Sequence, residues 1–406
     1  MISSAPAFVT PVPDASCGSR KRYWAGMAKP VAKRILIVVG TRPEAIKMAP
    51  VARRLMDCAG VSLRLCASAQ HREMLDDALR VFDLAPHYDL DIMRPGQTLS
   101  GVASAVLREL DPVLEAWRPD WMLVQGDTTT TMAAALAAFH RGIAVGHVEA
   151  GLRTGDLANP WPEEANRRIA GILARRHYCP TERAAGALRA EGVAEAAILV
   201  TGNTVVDALE MAVDAIDRNP SLRDDLRRRF AWIPGNRRLV LVTGHRRESF
   251  GPGFEQICCA LARLGRRPDV QIVYPVHLNP NVRGPVFAAL GERPNVALIE
   301  PLDYLAFVWL MRRSYLILTD SGGVQEEAPA FGKPVLVMRE TTERREAIEA
   351  GGARLVGADA DRIVAECERL LDDPNRHKTM SEAGNPFGDG AAARRIAADL
   401  VRETAP

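Results

Sequence analysis

Residues 124–156 read VQGDTTTTMAAALAAFHRGIAVGHVEAGLRTGD. Two short apolar runs flank an alanine-rich helical segment, and each run ends in an acid: Asp127 follows the first and Glu149 the second. Strand, turn, helix, strand is a βαβ unit, and strands of nearly continuous apolar character belong to a parallel sheet covered on both faces. A carboxylate at the end of a buried strand is costly unless something uses it. Outward from this stretch the same alternation recurs. Strands are expected at 34–39, 62–67, 121–125, 143–148, 239–243, 270–275, 295–299, 315–319 and 334–338. A Pro/Gly/Asn turn precedes Leu239 and starts a fresh series, so the fold class is α/β, two doubly wound domains meeting near residue 202.

A chain of 406 residues with 47% hydrophobic and 25% charged residues fits two domains with a sizeable core. A net charge of +2 argues against a nucleic-acid partner, and Arg227, Arg228 and Arg229 read as a solvated helix face. The seven cysteines are scattered without a CxxC pair, as reduced cytoplasmic thiols would be. No apolar stretch approaches the roughly 18 residues that span a bilayer, so no membrane partner is expected. Residues 1–32 read as a disordered leader. In this segment the basic triplet at 20–22 follows the weakly apolar part instead of preceding it, which is the wrong order for a secretion signal.

Polar chemistry collects in the turns after the strands, where open parallel sheets bind ligands. GTRPEAIK at 40–47 opens a helix whose start suits an anion, with Arg42 and Lys47 beside it; both also read as surface bases next to Glu44. TDSGGVQEEAP at 319–329 has the same form. Ser321 and the amides of Gly322 and Gly323 suit a phosphate and Glu327 a ribose, or else Ser321 is a plain N-cap. Glu163 falls in a first helical turn with Arg167 at i+4, a spacing that predicts an ion pair. Asp127 reads equally as a helix cap, and His245 either donates to a phosphate or is structural. No G-x-G-x-x-G or P-loop pattern and no metal-ligand spacing appears, so a nucleotide ligand without cofactor or metal is the simple reading.

These stretches, with QHREML, PWPEEANRR, TGNTVVDAL, VTGHRRESFG, YPVHLNPNVR and TTERREAI, closely resemble the bacterial non-hydrolysing UDP-N-acetylglucosamine 2-epimerases from about residue 33 to 400. The resemblance implies a glycosyltransferase B-type architecture of two Rossmann-like domains, 33–201 and 202–391, with a C-terminal helix at about 392–406 returning to the first. It implies a cytoplasmic homodimer without cofactor that interconverts UDP-N-acetylglucosamine and UDP-N-acetylmannosamine, a precursor for surface polysaccharide. The route is anti elimination of UDP to 2-acetamidoglucal and re-addition of UDP.

By the same resemblance Asp127, Glu149, Glu163, Lys47 and His245 are catalytic, and Arg42, Arg167, Ser321, Gly322, Gly323 and Glu327 bind substrate. Gln70, Arg246 and His277 match an allosteric set found in some members. Three rival readings are a hydrolysing epimerase, a glycosyltransferase of the same fold and a catalytically dead nucleotide-sugar sensor. The hydrolysing type differs from GTRPEAIK in its first turn, a glycosyltransferase has no need of the three acids, and a dead sensor is expected to have lost one of them.

Overall fold

The computed structural model describes residues 32–68, 72–94, 96–244 and 251–403. The first sheet contains β1 (Lys33–Val39), β2 (Val61–Ala67), β3 (Tyr88–Asp89), β4 (Trp121–Gln125), β5 (Ala144–Val148), β6 (Arg176–Cys179) and β7 (Ile198–Val200). The second contains β8 (Arg238–Thr243), β9 (Val270–Pro275), β10 (Val296–Ile299), β11 (Leu316–Thr319), β12 (Val335–Val337) and β13 (Ala353–Leu355). Both are wholly parallel, in the orders β3-β2-β1-β4-β5-β6-β7 and β10-β9-β8-β11-β12-β13.

Each order reverses direction once, between β1 and β4 and between β8 and β11. Loops diverge at that switch point and leave a crevice outside the carboxyl ends of the strands. Asp127 and Ser321 lie in the turns after β4 and β11 and Arg42 opens the helix after β1, so the chemistry-bearing segments meet the two crevices. Every expected strand is present within one residue at each end. Four were not anticipated: β3, β7 and β13 are edge strands of two or three residues, and β6 reads RHYC, too polar and too short for an apolar run.

In the first half the helices are α1 (Arg42–Met56), α2 (Arg72–Val81), α3 (Leu99–Trp117), α4 (Thr129–His140), α5 (Glu163–Leu173) and α6 (Glu182–Ala190). After α7 (Thr204–Arg218) and α8 (Pro220–Arg229) come α9 (Pro252–Leu264), α10 (Pro280–Leu290), α11 (Tyr304–Arg313) and α12 (Gly322–Glu327). The chain ends with α13 (Arg345–Glu349), α14 (Ala360–Asp372), α15 (Pro374–Ser381) and α16 (Ala392–Arg402). α7 packs on α1 and α16 and also on α11 and α12, and one apolar cluster runs from Ile35 and Val51 through Leu209 to Leu241 and Val335. Arg227 and Arg228 pair with Asp224 and Asp225 on the exposed face of α8, as the charge pattern suggested.

We propose a domain boundary at residues 201–202, between the last strand of the first sheet and α7, with α16 counted in the first domain. Asp399 of α16 accepts from Arg176 at 2.9 Å and from the Tyr178 hydroxyl at 3.1 Å, both on β6.

Candidate active site

α1 begins at a tight turn. A Cβ on Gly40 would sit 2.6 Å from the Thr130 hydroxyl, so only glycine lets β1 pass this close to the start of α4. Glu44, in the first turn of α1, accepts the amides of Gly40 and Thr41 and the hydroxyls of Thr41, Thr128 and Thr131. Five donors fix the first turn of α1 against that of α4. They also hold Lys47, one turn further on, facing inward.

Lys47 is 7% exposed, and its Nζ donates to Glu149 Oε2 at 2.6 Å and to Glu326 Oε2 at 2.9 Å. It is no surface base. Burial opposes its charge, but the two carboxylates more than offset this and hold the ammonium above the usual lysine range. Arg344, just before α13, donates from Nε to Glu326 Oε1 at 2.9 Å and lies 3.5 Å from Glu149 Oε1. Lys47 and Glu149 come from the first half of the chain and Glu326 and Arg344 from the second, so the four charges form a buried square between the two sheets.

Glu149 has a φ of 62°, left-handed backbone that a glutamate adopts only when its surroundings impose it, at a cost of order 1–3 kcal/mol. The turn swings its carboxylate away from β5 toward Lys47 and toward the Gln125 amide, which also donates to it. Burial raises its proton affinity, Lys47 lowers it and the Glu326 charge raises it again, leaving Glu149 above the ordinary carboxylate range. Glu326 is also penalised by burial, yet Lys47 and Arg344 together pull it below that range.

Gln125 lies opposite Val148 in the sheet register, so Asp127 and Glu149 leave adjacent strand ends. Asp127 is not a helix cap. Thr128 caps α4 by accepting the Thr131 amide, and Asp127 stays partly exposed with its Oδ2 2.6 Å from the Arg167 guanidinium. The expected Glu163–Arg167 pair does not form. Arg167 binds Asp127 and, at 3.2 Å, the fully buried Glu164, which also accepts the Thr154 amide and Arg168. The i+3 carboxylate and a strand-end acid outcompete the i+4 carboxylate, and Glu163 is left with a buried Oε2 that has no hydrogen-bond partner among the described residues.

On the other wall Ser321 precedes α12 without capping it through its side chain, and its amide donates to Thr319 Oγ1 at 2.9 Å. A Cβ on Gly322 would approach the Arg344 guanidinium carbon to 2.9 Å, whereas one on Gly323 would meet only Ser321 Oγ at 3.9 Å. Glycine at 322 therefore lets Arg344 cross the helix start. Glu327 is buried beside Tyr304, and burial first, with the Glu326 charge added, pushes its carboxyl up to about 7 against the opposing pull of Lys47. Arg42 reaches over from α1 to the Leu302 carbonyl at 3.5 Å, and the rings of Phe82 and Tyr304 meet 6.1 Å apart across the same junction.

Of the proposed allosteric set, His277 is exposed at the end of β9, accepting the Asn279 amide at Nδ1; Gln70 and Arg246, like His245, lie outside the described residues. A polar cavity of about 320 Å³ opens beside the site, between the loop at 151–160 and Arg339, Thr342 and Glu343. A larger groove of about 740 Å³ lies elsewhere, between α1, α7 and the start of α16. Reading single turns missed Glu326, Arg344 and Gln125. The doublet at 326–327 and the TTERREAI stretch were the available signals, but Lys47 and Glu149, their partners in the first half, lie more than a hundred residues away.

The arrangement of two strand-end acids, two cations shared between two halves and a nucleotide-type helix start agrees with the comparisons. A family profile described as UDP-N-acetylglucosamine 2-epimerase matches residues 53–401. The UDP-N-acetylglucosamine 2-epimerase of Escherichia coli is 56% identical over 364 residues, covering 89% of this chain and 97% of that protein. The crystal structure of UDP-GlcNAc 2-epimerase from Neisseria meningitidis bound to UDP-GlcNAc is 45% identical, covers 91% of this chain and 100% of its own, and superposes with a TM-score of 0.88. The Methanocaldococcus jannaschii enzyme in complex with UDP-GlcNAc and UDP is 32% identical with a TM-score of 0.79, covering 91% of this chain and 100% of that one. A glycosyltransferase from Rickettsia africae, 14% identical with a TM-score of 0.60, shares the fold. The two-domain α/β architecture is thus that of the glycosyltransferase B type, and the chain belongs to the UDP-N-acetylglucosamine 2-epimerase family.

Proposed function

We propose that this protein epimerises C2 of UDP-N-acetylglucosamine, giving UDP-N-acetylmannosamine reversibly and without hydrolysis. The observation that carries the reading is the buried meeting of Glu149, Lys47, Glu326 and Arg344 next to Asp127, in a chain of the epimerase family. A sugar C2–H is weakly acidic, so its removal needs a carboxylate of raised proton affinity held away from water. Glu149 has that environment. As the C2–H bond breaks, a C1–C2 double bond forms and the C1–O bond to UDP breaks, its electron pair leaving with the phosphate. Asp127 and Glu163 are the further proton-transfer groups; re-addition of UDP with protonation on the opposite face of C2 completes the inversion.

Arg42, Lys47, Arg167, the Ser321 hydroxyl and the amides of Gly322 and Gly323 are suited to the charge of departing UDP, and Glu327 to accepting the ribose hydroxyls. GTRPEAIK in the first turn favours the non-hydrolysing type. The same reading places the protein in the cytoplasm, where buried thiols such as Cys66 and Cys367 stay reduced, and makes the product a precursor for surface polysaccharide. It includes a homodimer. Ile169 and Ile172 stand exposed on α5, Trp161 on the loop before it and Phe139 on the neighbouring α4, an apolar surface suited to a second copy.

Incubation with UDP-N-acetylglucosamine in deuterated water, followed by NMR, tests the reaction. UDP-N-acetylmannosamine bearing deuterium at C2 is the expected product. Accumulation of free N-acetylmannosamine would show a hydrolysing enzyme, and an unchanged sugar with folded protein would overturn the reading.

A further inference from the structure

Glu326 has no assigned task, yet it is the carboxylate that touches both buried cations at close range. Its Oε2 lies 2.9 Å from Lys47 Nζ, its Oε1 2.9 Å from Arg344 Nε, and it is 1% exposed. Among the described residues the titratable groups that face Glu149 are Lys47 from α1, Glu326 from α12 and Arg344 from the turn before α13; Gln125 from β4 is a neutral neighbour. Arg344 in turn is held by Glu343 and sits 3.5 Å from Glu149, further than from Glu326. Two cations are therefore divided between two acids. Without the second acid both would fall on Glu149.

We propose that Glu326 is a positioning residue for the epimerisation: it draws Arg344 and half of Lys47 away from Glu149, and so keeps Glu149 basic enough to take the C2 proton. The inference rests on the reading of Glu149 as that base. It has a second consequence, because Glu326 and Arg344 belong to one half of the chain and Glu149 to the other. The base has its working strength only when the two halves meet, which ties proton abstraction to the contact between them.

The experiment is the pH dependence of kcat with UDP-N-acetylglucosamine, read by deuterium uptake at C2, for the wild-type chain, Glu326→Gln and Glu149→Gln. Removing the Glu326 charge frees both cations for Glu149 and lowers its proton affinity, so the acidic limb of the profile should move to lower pH by about one unit or more. The weaker base should also lower the plateau by roughly tenfold or more, while KM changes little. Glu326→Asp, which keeps the charge but withdraws it, should fall between the two.

A purely structural Glu326 would reduce kcat in proportion to folded protein and leave the limb in place, and that outcome, or a limb shifted upward, overturns the proposal. Should the Gln chain fail to fold, Glu326→Asp carries the same test with the same sign. If Glu149→Gln stays active, the reading of the base fails and the proposal falls with it; if Glu149→Gln is inactive and the Glu326 limb is unmoved, only the present inference is lost.

Discussion

Glu163 is the least stabilising of the three acids. Asp127 is tied to Arg167 and Glu149 to Lys47, but the buried Oε2 of Glu163 has no partner among the described residues. An unsatisfied buried polar atom costs about 1–3 kcal/mol, so nothing in its packing explains a carboxylate here. Glu163→Gln should leave the melting temperature unchanged or slightly higher, while turnover falls roughly 10²-fold, the scale of a lost general acid or base. Turnover above about a third of wild type would remove Glu163 from the proton-transfer set.

Glu327 makes a pH prediction. Its carboxyl is raised to about 7 in the folded chain by burial, so the folded state holds the proton more tightly than the unfolded one. The stability this contributes is full below the unfolded carboxylate range and is lost as pH rises toward about 7. Buried His147 and His177, lowered to about 3 and about 4 by burial, act in the opposite sense below the usual histidine range. The Glu327 share is therefore the difference between wild type and Glu327→Gln in unfolding free energy: the wild-type curve should fall relative to the variant between pH 5 and 8. Parallel curves would show that Glu327 does not titrate there. Asp127, Glu149 and Lys47 were legible in the sequence because a strand end or helix start fixes where they point; Glu326 and Arg344 were not, since their roles come from charges on the other half of the chain.

Among the elements, α16 has the clearest anchors. Asp207 of α7 accepts the amides of Ala392 and Ala393 at its start, and Asp399 further along binds Arg176 and Tyr178 of β6. Asp399→Ala strands a half-buried guanidinium and should cost roughly 3 kcal/mol in urea unfolding, the order seen when one partner of a buried pair is removed. A loss under about 0.5 kcal/mol, the size of an exposed-pair effect, would show α16 to be peripheral. The same anchors explain what was hard to read. β6 alternates Arg, His, Tyr and Cys, a poor strand signal by composition, yet its Arg and Tyr are satisfied by a helix more than two hundred residues later. The long apolar strands β1, β4, β8 and β9 carried their own signal, because a strand covered on both faces must be apolar throughout.

At the scale of the whole molecule, two sheets invite the expectation of two independently melting domains, since interfaces within a chain are usually polar and mobile. Here one apolar cluster spans both halves. α7 packs on α1 and α16 on one side and on α11 and α12 on the other, and Leu209 at its centre is 1% exposed within the cluster that includes both Val51 and Val335. The buried charge square lies across the same junction, and separating the halves would leave Lys47 beside one carboxylate and Arg344 beside others, each short of a partner. Calorimetry of the intact chain should then show a single cooperative transition. Leu209→Ala, which removes apolar volume where the cluster joins the halves, should cost about 2–5 kcal/mol and shift that transition as a whole. Two resolved heat-absorption peaks, or a Leu209→Ala effect confined to one of them, would mean that the halves unfold separately and that the junction holds the buried charges together without holding the fold together.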